Sequence, residues 1–184
     1  MIYLKIFIAG PRAVSKLNTK VTDKLKSIAD NNYTVLVGDA NGIDKTVQKF
    51  YNDRGYEKVI VYASGKRVRN NIGNWETKNI EVNDNVKGFD FYTVKDKEMA
   101  KQSDYGLMIW NGKSKGTFNN IINLISFKKT VLLYFIPNKQ FYKLKSMDDI
   151  QKFVDAINNK DINEFLLSNI NKTEQLTLDT TVMQ

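Results

Sequence analysis

The sequence predicts an α/β fold: a mostly parallel, five-stranded sheet flanked by helices, with further helices at the C-terminus. Two observations predict this fold. Short apolar runs rich in Ile and Val alternate with segments whose apolar residues recur every three or four positions. Glycine or another turn-forming residue closes several of the runs. Because helices that alternate with strands connect parallel strands, the expected architecture is Rossmann-like, with helices on both faces of the sheet.

Five apolar runs predict the strands. They span residues 2–9, 33–37, 58–62, 105–110 and 130–135. A first helix is predicted where the apolar side chains of Val21, Leu25 and Ile28 share one face. Further helices are predicted over residues 43–51, 94–103, 118–127, 147–156 and 162–170.

Residues 63–92 show no clear period, and the sequence predicts a long loop there. The sequence predicts one Rossmann-like domain over residues 1–138 and C-terminal helices packed on it over residues 139–172. A polar tail follows over residues 173–184 and is expected to fray. The C-terminal helices suit either a cover for one face of the sheet or the interface of a homo-oligomer.

The sequence contains no cysteine and no histidine, which restricts its chemistry. Disulfides, thiolate nucleophiles, histidine bases and the usual zinc ligands are excluded. Catalysis would have to use carboxylates, hydroxyls, lysine, backbone donors or a hard cation such as Mg²⁺, and no metal-ligating residues stand out. No apolar run approaches the roughly 18 residues that span a bilayer, and the N-terminal run lacks a signal-peptide pattern. We therefore expect a cytoplasmic protein without a membrane partner.

The formal net charge is +8, from 28 basic and 20 acidic residues. Such a surplus attracts anions, nucleic acid among them. Only four of the basic residues are arginine, the side chain best suited to bind phosphate and read bases, so the charge alone does not favour nucleic acid over a small anionic ligand.

Ligands of such sheets bind beyond the carboxyl ends of the strands, so the loops that follow the strands hold the candidate residues. A glycine at a strand end lets the backbone approach a ligand, and the start of a helix attracts an anion. Three such loops predict a phosphate-binding pocket. Their candidate binding residues are Gly10, Pro11, Arg12, Gly38, Ala40, Gly42, Asp44, Gly112, Ser114, Gly116 and Thr117.

Two further segments add candidates. Arg69 and Asn70 precede Trp75 in the long loop, where an arginine suits a phosphate and a tryptophan suits a base. Lys95 begins a charged segment at a predicted helix start and is a candidate phosphate ligand. Carboxylates on pocket-facing loops are the candidate catalytic groups: Asp39, Asp96 and Glu98.

Several short segments together resemble one known family. Residues 38–44 read G-D-A-N-G-I-D, Arg69-Asn70 follows, Lys95-Asp96 precedes Met99-Ala100, and residues 112–117 end in Gly-Thr. In order and in placement after strands, they resemble motifs of the SLOG superfamily. That superfamily includes the DNA-processing DprA (Smf) proteins, the LOG-type cytokinin-activating phosphoribohydrolases and small stand-alone proteins. The resemblance covers about residues 2–135.

The resemblance implies a Rossmann-like fold that binds nucleotides or nucleotide-derived ligands. Some relatives cleave an N-glycosidic bond with the help of a glutamate, and the matching position here is Asn120. An amide does not ionise, so it cannot act as that carboxylate does. The resemblance thus implies ligand binding more strongly than hydrolysis.

Three functions follow as hypotheses. The first is a sensor or carrier that binds a phosphate-bearing nucleotide or nucleotide-derived ligand; no other cofactor is predicted. The second is an N-glycoside hydrolase or deoxyribosyltransferase that acts on a nucleoside or nucleotide with the carboxylates named above. The third is an accessory protein that binds nucleic acid.

Overall fold

The computed structural model describes residues 3–182, and only the backbone of residues 174 and 176–182. Ile2 of the first predicted strand and the last two residues of the predicted tail lie outside the described residues. Within residues 3–182, seven strands form one sheet: β1 Lys5–Ala9, β2 Thr34–Gly38, β3 Val59–Ser64, β4 Glu76–Ile80, β5 Tyr105–Trp110, β6 Thr130–Phe135 and β7 Gln140–Leu144. The helices are α1 Thr19–Asp30, α2 Ile43–Asn52, α3 Gly88–Gln102, α4 Lys115–Ser126, α5 Met147–Ile157 and α6 Lys160–Val182.

The sheet order is β4-β3-β2-β1-β5-β6-β7, and all neighbouring strands are parallel except the antiparallel pair β6 and β7. The α/β, mostly parallel and Rossmann-like prediction is confirmed, but the prediction of five strands is wrong. The two missed strands, β4 and β7, lie at the sheet edges and are partly exposed. β4 is largely polar, and β7 mixes Gln140 and Lys143 with apolar side chains. They therefore show no apolar run in the sequence.

The predicted long loop over residues 63–92 contains regular structure. β4 lies in its middle, and α3 begins at Gly88, six residues before the predicted helix start. The predicted helix start lies too far along the chain because the first turns of α3 carry exposed aromatic side chains, including Phe89 and Tyr92, and therefore show no amphipathic pattern. These turns form one wall of a cavity.

The core explains the strand runs that were predicted. Among the fully buried residues are Ile8 of β1, Val37 of β2 and Val61 of β3. Val21 and Leu25 of α1 are buried to the same or nearly the same extent. A central parallel strand is covered by helices on both faces, so nearly every residue in it is apolar. Hydrophobic burial over these strands holds the loops at their carboxyl ends in fixed positions.

The position of β1 determines where the loops diverge. From β1 the chain passes through α1 to β2 on one side, whereas β5 lies on the other side of β1 and is reached through α3. The loops after β1 and β5 therefore lead away in different directions and leave a crevice between them. In open α/β sheets this switch in strand order is where ligands bind.

The chain divides into two compact units at Lys145 and Ser146. In the second unit, the Ser146 side chain caps α5 by accepting from Asp149 N, and Gln151 of α5 donates to Asn163 of α6. α6 runs as far as Val182 and includes most of the tail that was predicted to fray. None of the helices in residues 3–182 combines the length and apolar character that a membrane span requires.

Candidate ligand-binding site

A cavity of about 600 Å³ lies at the carboxyl ends of the central strands, at the switch in strand order. The loops after β1, β2 and β3 and the first turns of α3 and α4 form its walls. The lining residues are Ala9, Gly10, Arg12, Ala40, Asp44, Arg69, Gly88, Phe89, Tyr92, Thr93, Lys95, Asp96, Met99, Ser114, Lys115, Gly116, Thr117 and Asn120.

Two glycines allow the loop after β1 to pack against the start of α2. A Cβ on Gly10 would lie 2.7 Å from the Ile43 side chain. Gly42 has a φ of 75°, and a Cβ there would lie 2.5 Å from the carbonyl oxygen of Pro11. That same oxygen accepts a hydrogen bond from Ile43 N at 3.2 Å. This close packing of the loop after β1 against the start of α2 is thus available only with glycine at both positions.

Asp39 is buried and bound on both oxygens by Arg69. Arg69 Nη2 donates to Oδ1 at 2.6 Å, and Arg69 Nε and N donate to Oδ2 at 3.1 and 3.0 Å. Burial by itself would raise the pKa of Asp39, but the hydrogen bonds and charge of Arg69 outweigh burial and lower the pKa. Asn70 Nδ2 donates to the Asp39 carbonyl at 2.8 Å and fastens the two loops together.

Lys95 is the centre of a buried charge cluster and is 3 % exposed. Its Nζ lies 2.6 Å from Asp96 Oδ1. Burial alone would lower the pKa of Lys95, but the carboxylates of Asp96, Asp44 and Asp39 outweigh burial and raise it, so the lysine is charged. Lys95 thus places a charged ammonium group, paired with Asp96, at the base of the cavity.

Asp44 has the most perturbed carboxyl of the cluster. Burial raises its pKa to about 7, although Lys95 and a hydrogen bond from Ala40 N at 3.2 Å act in the opposite direction. Gly38 makes room for this arrangement, since a Cβ there would lie 2.7 Å from Lys95 Nζ and even closer to Asp44 Oδ2. Near neutral pH, Asp44 is therefore divided between its neutral and charged forms.

The first turn of α4 faces the cavity. Ser114 caps the helix, because its Oγ accepts from Thr117 N at 3.3 Å and lies 3.1 Å from Thr117 Oγ1. A Cβ on Gly116 would meet nothing closer than 3.9 Å, so the backbone there borders open space. The N–H groups of a first turn lack partners within the helix and attract an anion.

Asn120 lies one turn further along α4 and lines the same cavity. It is only 4 % exposed, and its Oδ1 has no hydrogen-bond partner among the described residues. A buried acceptor without a donor is costly, so this atom is suited to receive a hydrogen bond from a bound molecule.

Exposed aromatic rings complete the cavity wall. Phe89 is 48 % exposed, and the Tyr92 ring lies 4.4 Å from the Arg69 guanidinium carbon. Sequence reasoning missed both residues because they fell in the segment interpreted as an irregular loop. The closely spaced aromatics in residues 89–92 were the signal that could have identified them.

Most of the sequence-predicted residues come together at this cavity. Those in its lining are Gly10, Arg12, Ala40, Asp44, Arg69, Lys95, Asp96, Ser114, Gly116 and Thr117. Five further predicted residues do not line the cavity but pack against, or hydrogen-bond to, the residues that do. They are Pro11, Gly38, Asp39, Gly42 and Asn70.

Three further predicted residues belong to neither of these groups. Trp75 packs against the core, and its Nε1 donates to the Tyr56 carbonyl at 3.0 Å. Glu98 accepts from the Gln102 side chain. Gly112 has a φ of 78° and forms the turn after β5, beside Phe135. Among the described residues, no group of three or more Asp or Glu side chains is placed to hold a metal ion.

The fold and cavity define the class of the protein: a Rossmann-like α/β protein with a ligand-sized cavity at the switch in strand order. No family model and no curated protein sequence matches the chain. The solved structures that it resembles include DNA processing protein A from Helicobacter pylori, described with a single-stranded DNA binding mode (TM-score 0.54, 14% identity, 92% of this chain and 81% of that one).

A second similar structure is TM1055, a target of the Northeast Structural Genomics Consortium (TM-score 0.51, 16% identity, 71% of this chain and 74% of that one). A third is the molybdenum cofactor carrier protein from Chlamydomonas reinhardtii (TM-score 0.49, 20% identity, 72% and 76%). At such identities the likeness to the first two shows a shared fold, and the function has to be argued from the cavity itself.

Proposed function

We propose that the protein binds a nucleotide or nucleotide-derived ligand in this cavity, with the ligand's phosphate at the start of α4, and acts as a carrier or sensor. The observation that carries the proposal is the unpartnered Asn120 Oδ1 in the cavity wall. It lies one helical turn from a set of backbone donors suited to phosphate, so a ligand with both a phosphate and a hydrogen-bond donor would satisfy the two features together.

The charges of the lining favour an anion. Four cations line the cavity, Arg12, Arg69, Lys95 and Lys115, together with two carboxyls, Asp44 and Asp96. Arg69 and Lys95 are paired with Asp39 and Asp96, so Arg12 is the cation that we propose for the anion. Arg12 is exposed and has no hydrogen bond or ion pair with the described residues, so its guanidinium is available to bind a phosphate through two parallel bonds. Neutralisation of Asp44 by a proton would increase the positive charge of the cavity further.

The exposed aromatic wall suits the rest of a nucleotide. Phe89 exposes much of its ring at the cavity, where a base or another planar ring can stack on it. The Tyr92 ring is already covered on one side by Arg69, which leaves Phe89 as the stacking surface that we propose. Cavities of this volume commonly hold molecules of nucleotide size.

One observation favours a second function, hydrolysis or transfer at an N-glycosidic bond. The pKa of Asp44 is raised to about 7, which is the value expected of a general acid or base at neutral pH. Of the carboxylates proposed from the sequence, Asp39 and Asp96 are each paired with a cation, and Glu98 lies outside the lining. Asp44 is therefore the carboxyl that we propose for such a reaction.

Calorimetry against a panel of nucleotides, ADP-ribose, cyclic nucleotides and single-stranded DNA tests the binding proposal. We expect a nucleotide-sized ligand to bind with a Kd below about 1 mM, and Arg12→Gln to weaken binding about tenfold. Arg67→Gln is the matched control, because Arg67 is exposed and does not line the cavity. The proposal fails if no member of the panel binds, or if both arginine variants bind as the parent protein does.

Chromatography of the same mixtures separates the two functions. Release of free base that disappears in Asp44→Asn would establish the glycosidic reaction. Binding without any free base, at every pH from about 5 to 8, would exclude that reaction and leave the carrier or sensor role.

A further inference from the structure

A second, smaller cavity of about 170 Å³ lies between the start of α1 and the carboxyl ends of β5 and β6. Its lining residues are Lys16, Leu17, Asn18, Val21, Ile109, Tyr134, Ile136 and Lys139. None of them lines the larger cavity. We propose that this cavity is a separate binding site for a small amphipathic carboxylate, a molecule with one carboxylate group on a short aliphatic body.

The side chain of Tyr134 indicates that the cavity receives a polar group. Tyr134 is 2 % exposed, and its hydroxyl has no hydrogen-bond partner in the described part of the chain. Its ring is held by an edge-on contact with Phe141, with the ring centres 5.0 Å apart. A buried hydroxyl that lacks a partner is destabilising, and a ligand oxygen that accepts its proton would remove that cost.

The charges around the cavity select an anion. Lys16 and Lys139 line it, and Lys20 is held beside them by a hydrogen bond from its Nζ to the Lys139 carbonyl at 3.0 Å. The first turn of α1 contains no acidic residue, so the positive end of this 12-residue helix is not neutralised there. Among the described residues, no carboxylate lines the cavity.

The remaining walls are apolar and set the class of ligand. Leu17, Val21, Ile109 and Ile136 form them, so the cavity offers a hydrophobic surface beside the hydroxyl and the ammonium groups. A carboxylate has two oxygens, one to accept from the Tyr134 hydroxyl and one to face a lysine. At about 170 Å³ the cavity is below the usual range for a whole nucleotide, which limits the ligand to a small molecule.

Methyl NMR of isoleucine-labelled protein tests this site with three probes at constant ionic strength. Butanoate has both the charge and the apolar body, butan-1-ol has the body without the charge, and inorganic phosphate has the charge without the body. We expect butanoate to shift the methyl signals of Ile109 and Ile136 in a saturable manner, and to bind at least about fivefold more tightly than either other probe. Ile60 on β3 does not line either cavity and is the reporter expected to stay unchanged.

Three variants assign the response to the cavity. Tyr134→Phe keeps the ring and removes the unpartnered hydroxyl, so it should fold with equal or higher Tm and yet weaken butanoate about tenfold. Lys16→Gln should weaken it about threefold, and the matched control Lys26→Gln, on α1 but outside the lining, should leave it unchanged.

Several outcomes would overturn the proposal. They are the absence of a saturable shift at Ile109 and Ile136, equal binding of phosphate or butan-1-ol, and unchanged butanoate binding by folded Tyr134→Phe. This site shares no residue with the larger cavity, so its failure would leave the nucleotide proposal intact, and the reverse also holds.

Discussion

Replacement of the Asp44 carboxyl by an amide should remove a pH-dependent loss of stability. In Asp44→Asn, the side-chain oxygen can still accept the hydrogen bond from Ala40 N, and the volume is unchanged. The variant loses the free-energy cost of ionising a buried carboxyl that lies among other carboxylates. The variant therefore isolates the effect of one titration.

The sign and size follow from the pKa. Burial raises the pKa of Asp44 from its ordinary 3.8 to about 7, so between these values the folded protein binds more protons than the unfolded chain. The contribution of Asp44 to the free energy of unfolding is therefore complete below about pH 4 and declines as the pH rises to about 7. At about 1.4 kcal/mol for each pKa unit, the decline amounts to about 4 kcal/mol.

Urea unfolding at several pH values from 4 to 8 measures this difference. We expect Asp44→Asn and the parent protein to have similar stability near pH 4, and the variant to be more stable by up to about 4 kcal/mol near pH 8. Asp23→Asn, at an exposed position on α1, is the control and should follow the parent curve. A stability difference between Asp44→Asn and parent that does not change with pH would refute the assignment of a raised pKa to Asp44.

Three further variants test the charge cluster by urea unfolding. Gly38→Ala should lower the free energy of unfolding by about 1–3 kcal/mol, because its Cβ would displace Lys95 and Asp44; an unchanged midpoint would contradict this packing. Arg69→Lys should lower the free energy of unfolding by about 2 kcal/mol, because it loses the paired hydrogen bonds to Asp39; the value is small because the Arg69 side chain is 29 % exposed. An unchanged free energy of unfolding would show that these bonds add little to stability. Lys95→Met should lower the free energy of unfolding by about 3–5 kcal/mol and extend the pH-dependent decline in stability to higher pH, since Lys95 lowers the folded-state pKa of Asp44; a decline that ends at the parent's pH would refute that coupling.

The predictable part of the fold was its centre. β1, β2, β3, β5 and β6 are covered on both faces, so their sequences are apolar runs that stand out from the rest of the chain. β4 and β7 pair along one edge only and carry polar side chains, Glu76 and Lys78 in β4 among them. Their strand character comes from pairing with a neighbour, which a local pattern does not contain.

The sequence by itself determined which loops carry the candidate residues, because glycines at strand ends and the order of elements can be read along the chain. Tertiary structure alone decided the partners. Arg69 reaches Asp39 across 30 residues because β3, which precedes Arg69, lies beside β2, which precedes Asp39. Lys95 and Asp44 come from two different helices and both lie beside Gly38 at the end of β2. The raised pKa of Asp44 and the unpartnered Asn120 Oδ1 follow from burial, and burial is a property of the packed chain that no single segment specifies.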